Sequence, residues 1–247
     1  MKLRDIERFF SNKWIQIIFS GIIFFSLLIF IFLSQGYSAT KAAESLLEKE
    51  NIYLENDKYY VVEPTYDSQN TLILYPGARV DASAYLPLAD KISKTGLKIY
   101  IVKMPLKLAI FNSNAAQSII EKNPDTKNYY LGGHSLGGAM AASFAASNED
   151  KLSGLILFAA YPGEDTTINE LPVLSITASN DQIINKEKLE KRKENLPAET
   201  EYVVIEGGNH SQFGSYGFQN KDGKATISRE EQFNIIKEEI DDFIKKN

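Results

Sequence analysis

The sequence predicts an α/β fold: a mainly parallel sheet with helices on both faces, preceded by an N-terminal transmembrane helix. Three observations predict it. From residue 58 onward, short β-branched and aromatic runs alternate with segments of helical spacing. One run, Gly154-Leu155-Ile156-Leu157-Phe158-Ala159, is apolar throughout, as in a strand buried on both faces. Ahead of this, Ile15 to Leu33 carries no charged residue, and as a helix it would be about 28 Å long, close to the thickness of a bilayer core.

The elements follow in order. Residues 1–14 are short and basic, with Lys2, Arg4, Arg8 and Lys13. Basic residues ahead of a span keep the N-terminus in the cytoplasm and send the remainder across. Trp14 and Tyr37 flank residues 15–33 as an interfacial belt would. A cleaved signal peptide has the same charge order, and Ser38-Ala39 offers it a cleavage site. Residues 34–57 read as a juxtamembrane linker, with a short helix over Ser38 to Glu50. The globular domain is expected over 58–247. Its strands are Tyr59 to Glu63, Thr71 to Tyr75, Leu97 to Val102, Tyr129 to Leu131, Gly154 to Ala159, Val173 to Ala178 and Tyr202 to Ile205. Its helices are Asp81 to Lys94 with Gly96 as the stop, Ala115 to Lys122, Leu136 to Ser147, Asn185 to Asn195, and an amphipathic Glu230 to Lys245. The gaps are too short for a large inserted cap.

Composition narrows the chemistry. Net charge is −5, with basic and acidic residues interspersed, so no basic stripe supports nucleic-acid binding. The chain has no cysteine, which excludes disulfides, thiolate metal sites and a cysteine nucleophile. It has two histidines, His134 and His210, so a histidine base has two candidates.

Gly133-His134-Ser135-Leu136-Gly137 matches G-x-S-x-G and lies between an apolar strand and a small-residue helix. On such a turn the pattern is a nucleophile elbow, with the serine hydroxyl lifted clear of the sheet at a helix N-terminus. A serine needs an adjacent base oriented by a third group. His134 should point away from its neighbour's hydroxyl and reads as a packing residue, or as a contact on the far side of the turn. His210 follows the last strand through Glu206-Gly207-Gly208-Asn209, at the sheet edge where such sites gather. The acid should fall between serine and histidine. Asp181, two residues beyond the strand ending at Ala178, fits better than Glu164, Asp165 or Glu206. An oxyanion hole needs two backbone donors: Leu136 N–H after the nucleophile, and Ala78 N–H in Pro76-Gly77-Ala78-Arg79, with Arg79 N–H second. Phe111, Tyr161, Phe213, Tyr216 and Phe218 stand in loops placed to line an acyl pocket.

Five stretches together resemble the α/β-hydrolase superfamily, and within it the compact, cap-less bacterial branch near dienelactone hydrolases. They are Tyr75-Pro76-Gly77-Ala78-Arg79-Val80-Asp81 with Ala84-Tyr85, Met104-Pro105-Leu106, Gly132 to Gly138, Asn180-Asp181, and Gly207-Gly208-Asn209-His210 with Gln212-Phe213-Gly214. The resemblance covers roughly residues 58–245. It implies Ser135 as nucleophile, Asp181 as acid and His210 as base, with no metal or other cofactor. Two departures stand out. Pro76-Gly77 replaces the superfamily's usual His-Gly, and dienelactone hydrolases proper use the cysteine that this chain lacks. The expected function is that of a serine hydrolase cleaving carboxylic esters or related small acyl substrates, through an acyl-enzyme, outside the cytoplasm, on a protein tied to the membrane by its N-terminal helix. The alternatives are acyl transfer from the same acyl-enzyme and a non-catalytic scaffold on the same fold.

Overall fold

The computed structural model describes residues 13–34, 36–66 and 69–247. The expected cytoplasmic segment 1–14 lies outside them except for Lys13 and Trp14. Two compact units emerge, one ending at Gly36 and the other running Tyr37–Asn247.

The first holds helix α1 (Lys13–Ser34). Its large apolar side chains, from Trp14 to Ile31, are exposed. By length and composition it is a candidate membrane span, a test that a signal sequence near an N-terminus also passes.

The second unit is an eight-stranded sheet wrapped by helices. A four-residue helix, α2 (Lys41–Glu44), opens it, and Thr40 caps that helix by accepting the Ala43 N–H. Strands β1 (Ile52–Glu55) and β2 (Tyr59–Val62) then form an antiparallel hairpin. After them come β3 (Asn70–Tyr75), α3 (Leu86–Ile92), β4 (Leu97–Val102), α4 (Ala115–Lys122), β5 (Asn128–His134) and α5 (Leu136–Ala146). The chain finishes with β6 (Gly154–Phe158), β7 (Val173–Ala178), α6 (Lys186–Lys191), β8 (Glu201–Ile205) and α7 (Arg229–Lys246). The strand order is β1-β2-β4-β3-β5-β6-β7-β8. Every pair from β4 to β8 is parallel; the β1–β2 and β2–β4 pairs are antiparallel.

The linker expected over 34–57 is corrected here. Residues 37–57 belong to the globular unit, supplying α2 and the edge strand β1. A signal for that hairpin was present in the sequence. Asn56 and Asp57 both take left-handed φ, at 49° and 55°, and these two residue types tolerate that region best after glycine.

Two apolar layers flank the sheet, because neighbouring residues on a strand point to opposite faces. Leu72 and Leu74 of β3 pack with α3 and α7 through Leu88, Ile92, Phe233 and Ile240. Ile73 and Tyr75 pack on the other side with α4 and α5 through Ala116, Ile119, Ala141 and Ala145. The connection 159–172 between β6 and β7 carries no helix, so no helical cap is inserted there.

Candidate active site

The site starts at the turn between β5 and α5. Ser135 sits there with φ 53° and ψ −123°, a region costly for a residue with a side chain. Its N–H is held by the Phe158 carbonyl of β6 at 3.0 Å. So tight a turn leaves no room beside it. A Cβ on Gly133 would lie 2.5 Å from the Gly137 backbone, and one on Gly137 would lie 2.3 Å from the Tyr75 and Pro76 carbonyl oxygens. The spacing of the G-x-S-x-G pattern is thus a packing requirement, backbone against backbone.

Asp181 and His210 come from loops after β7 and β8. The His210 Nδ1 and Asp181 Oδ2 atoms are 2.7 Å apart, and both side chains are buried. A carboxylate only accepts, so Nδ1–H is the donor in this bond. The other carboxylate oxygen, Oδ1, accepts the N–H groups of Ile183 at 2.8 Å and Ile184 at 2.9 Å, which fixes the carboxylate plane. Among the described residues no hydrogen bond joins Ser135 to His210; the two share the wall of one cavity.

The two candidate backbone donors can also be located. Leu136 N–H begins α5 and has no acceptor within the helix. Arg79 N–H, the second choice for the other donor, is already given to the Lys107 carbonyl at 2.7 Å. Ala78 N–H donates to no acceptor among the described residues. The loop is tied to the elbow through Tyr85, whose hydroxyl accepts Gly77 N–H at 2.9 Å and shares a 2.8 Å hydrogen bond with His134 Nδ1. Burial pushes the Tyr85 phenol above its ordinary range, against the opposing pull of the Gly77 bond, so it stays protonated.

His134 is a buried packing residue, but it does not lie on the far side of the turn. Its ring centroid is 4.4 Å from that of His210 and 5.4 Å from Phe213, on which it stacks. Burial, and then the neighbouring His210, hold its pKa well below the usual histidine range. The ring is therefore neutral at neutral pH and packs beside His210 without adding charge.

The cavity has a volume of about 340 Å³. Besides Ser135, Leu136 and His210 it is lined by Ala139, Ala159 and Ala160, by Tyr161, and by Ile183, Ile184 and Asn185. Of the five aromatics expected around it, only Tyr161 is in its wall. Phe213 and Tyr216 are buried in the core, where Phe213 packs on His134 and Phe158 and Tyr216 on Tyr37. Phe111 and Phe218 are exposed. The cavity wall comes mostly from small and aliphatic residues beside the elbow and after Asp181.

A family model of the alpha/beta hydrolase family matches residues 71–234, well over half of the chain. The chain belongs to the alpha/beta hydrolase family. Among solved structures, this hydrolase is similar to Est1E from Butyrivibrio proteoclasticus with ferulic acid bound (TM-score 0.58, 13% identity, 78% of this chain and 99% of that one). It is also similar to a serine hydrolase without lid from Xanthomonas campestris (TM-score 0.55, 13% identity, 76% and 88%). A third is a soluble variant of the monoglyceride lipase of Saccharomyces cerevisiae (TM-score 0.56, 13% identity, 79% and 95%). At such identities the likeness is one of fold. A comparison with curated proteins gives no match.

Sequence reasoning missed what stands behind the hydrolase's histidine loop. Asp222 is buried, and its Oδ2 accepts both the N–H and the hydroxyl of Ser211, at 2.7 and 2.6 Å. Its Oδ1 accepts the N–H groups of Gln182 at 3.3 Å and Gly223 at 2.8 Å. One carboxylate thus clasps the residue after Asp181 and the residue after His210. Gln232 of α7 braces the same loop: its side-chain amide accepts Asn209 N–H and donates to the Asn209 carbonyl, both at 3.1 Å. Two features could have flagged these residues: Lys221-Asp222-Gly223 as a turn, and Gln232 as a polar residue within the apolar stripe of an amphipathic helix.

Proposed function

We propose that this protein is a serine hydrolase of carboxylic esters or related acyl compounds. In this reading Ser135 is the nucleophile, His210 the base and Asp181 the orienting acid, with the Ala78 and Leu136 N–H groups as oxyanion donors. The observation that carries it is the His210–Asp181 hydrogen bond of 2.7 Å beside a cavity that Ser135 shares with His210. Asp181 holds Nδ1–H and leaves Nε2 to take the proton of Ser135 Oγ as that oxygen bonds to the substrate carbonyl carbon. The former carbonyl oxygen gains the negative charge, and two backbone donors stabilise it. Collapse expels the alcohol, which takes the proton from His210. Water then gives a proton to His210 and adds to the acyl-enzyme. The acid leaves, and the proton returns to Ser135.

The substrate in this reading is a small acyl compound whose acyl or alcohol part is uncharged, since the cavity wall offers it alanine, isoleucine and tyrosine. The protein is tied to the membrane by α1, with the hydrolase domain outside the cytoplasm, as the basic residues before the span favour. The test is labelling by a fluorophosphonate and hydrolysis of p-nitrophenyl esters. Ser135→Ala is expected to abolish labelling and to lower kcat on the order of 10⁴-fold or more. Labelling that persists in Ser135→Ala would remove the serine from the mechanism.

A further inference from the structure

Apolar side chains crowd one surface beside the loop that carries Ala78 and Arg79. After β4 the chain makes two tight turns, Pro105–Lys107 and Ala109–Phe111. Leu106, Ile110 and Phe111 are each more than half exposed, at 51%, 51% and 54%, while Ala109 between them is buried. A cluster of large apolar residues left in water marks a surface that meets something else. The backbone is forced into this arrangement. Leu106 and Lys107 hold consecutive left-handed φ values of 51° and 57°, a conformation that non-glycine residues keep only when their surroundings impose it. The surroundings here are the oxyanion loop: the Lys107 carbonyl accepts Arg79 N–H at 2.7 Å, and its ammonium pairs with Asp81 at 2.7 Å. With Lys107 turned inward, Leu106 is left outward. The second turn packs against α5, the helix that begins just after Ser135. The crest is therefore attached both to the Ala78–Asp81 loop and to α5.

The tether enters at the same place. Tyr37 is the first residue of the globular unit. It bridges to Val80, its N–H donates to the Arg79 carbonyl at 2.7 Å, and its carbonyl accepts Asp81 N–H at 3.0 Å. Helix α1 ends at Ser34, and three residues span at most about 11 Å in any conformation. A bilayer holding α1 is thus kept, by chain length alone, within reach of the loop against which the crest is locked.

We infer that this crest is a membrane-docking surface. Leu106, Ile110 and Phe111 enter the interfacial layer of the bilayer that holds α1, as aromatic and aliphatic side chains of peripheral proteins do. The inference rests on the reading of α1 as an uncleaved anchor. It does not require that Ser135 be catalytic.

The experiment uses the full chain reconstituted in phosphatidylcholine vesicles whose acyl chains are brominated near the headgroup. Trp14 is the sole tryptophan, so its quenching in the wild type reports on the anchor alone. In a Trp14→Phe background, Phe111→Trp is expected to be quenched about twofold or more and blue-shifted. Tyr202→Trp, at an exposed position on the opposite edge strand β8, is expected to stay unquenched. Quenched Trp14 with unquenched Phe111→Trp overturns the docking surface and spares the anchor; unquenched Trp14 overturns both. The variant Leu106→Asn/Ile110→Ser/Phe111→Ser keeps a residue suited to left-handed φ at 106. It is expected to lose about tenfold in hydrolysis of a p-nitrophenyl ester carried in the vesicle and nothing on soluble p-nitrophenyl acetate. Equal losses on both substrates, or conversion of a dimer to a monomer with vesicle quenching unchanged, would count against the bilayer as the occupant.

Discussion

The elbow and the histidine loop meet at one cavity, yet different forces hold them. At the elbow, backbone presses on backbone: Gly137 lies so close to the Tyr75 and Pro76 carbonyls that one added carbon would sit 2.3 Å from each. At the histidine loop, side chains reach across from elsewhere. Asp222 clasps Ser211 and Gln182, and Gln232 brackets Asn209 from α7. Steric exclusion at the elbow is all-or-none, because compressed atoms have nowhere to move. Hydrogen bonding at the loop is graded, because each lost bond costs only part of the total. The position of Ser135 is thus rigid by exclusion, and the position of His210 is a sum of separable contacts.

The sharpest way to break this contrast is Gly137→Ala. The elbow and the loop at Tyr75-Pro76 would both have to shift, so a loss above about 4 kcal/mol is expected, large enough to prevent folding. Urea denaturation checks it; a wild-type midpoint would mean the elbow is not limited by packing. Asp222→Ala should behave differently, leaving a folded protein destabilised by about 3 kcal/mol, since buried N–H groups lose a charged acceptor. Its kcat is expected to fall with KM nearly unchanged, because the clasp bears on His210 and touches no cavity wall; unchanged kcat would uncouple the clasp from the site.

The smallest effect is one of pH. His134 is held below its unfolded value of 6.5 by burial and by His210. Above pH 6.5 neither state takes a proton there, and the full stability is present. As pH falls below 6.5 the unfolded chain binds a proton that the folded one refuses, so stability drops by about 1.4 kcal/mol per pH unit until the folded pKa is reached. The stability gap between wild type and His134→Gln is expected to narrow as pH is lowered from 7 to 5. A constant gap in denaturation midpoints would show that position 134 carries no such proton linkage.

The two regions were not equally legible. Ser135 and Leu136 could be read from five consecutive residues, because the elbow's constraint is local and steric. Asp181 and His210 could be read from chain order and strand ends, and the structure brings them within 2.7 Å. As a candidate donor, Ala78 N–H was legible only beside the N–H of its neighbour Arg79. What distinguishes it from Arg79 is the Lys107 carbonyl, 28 residues on in the chain, which takes the Arg79 N–H. The expected aromatic pocket failed at Phe213 and Tyr216 because loop residues near a site can face the core as readily as the cavity, and only packing decides. The edge strand β1 was hidden in a stretch dominated by polar residues, Glu48 to Asn56, which pairs on one side only.

By itself, then, the amino-acid order determined the alternation of strands and helices, the serine turn and the apolar N-terminal helix, since each follows from rules acting over a few neighbouring residues. The three-dimensional arrangement decided which donor is left open, which aromatics line the cavity, that His134 stacks beside His210, and that Asp222 and Gln232 brace the loop. Those are contacts between residues far apart in the chain, and no local pattern encodes the partner at the other end.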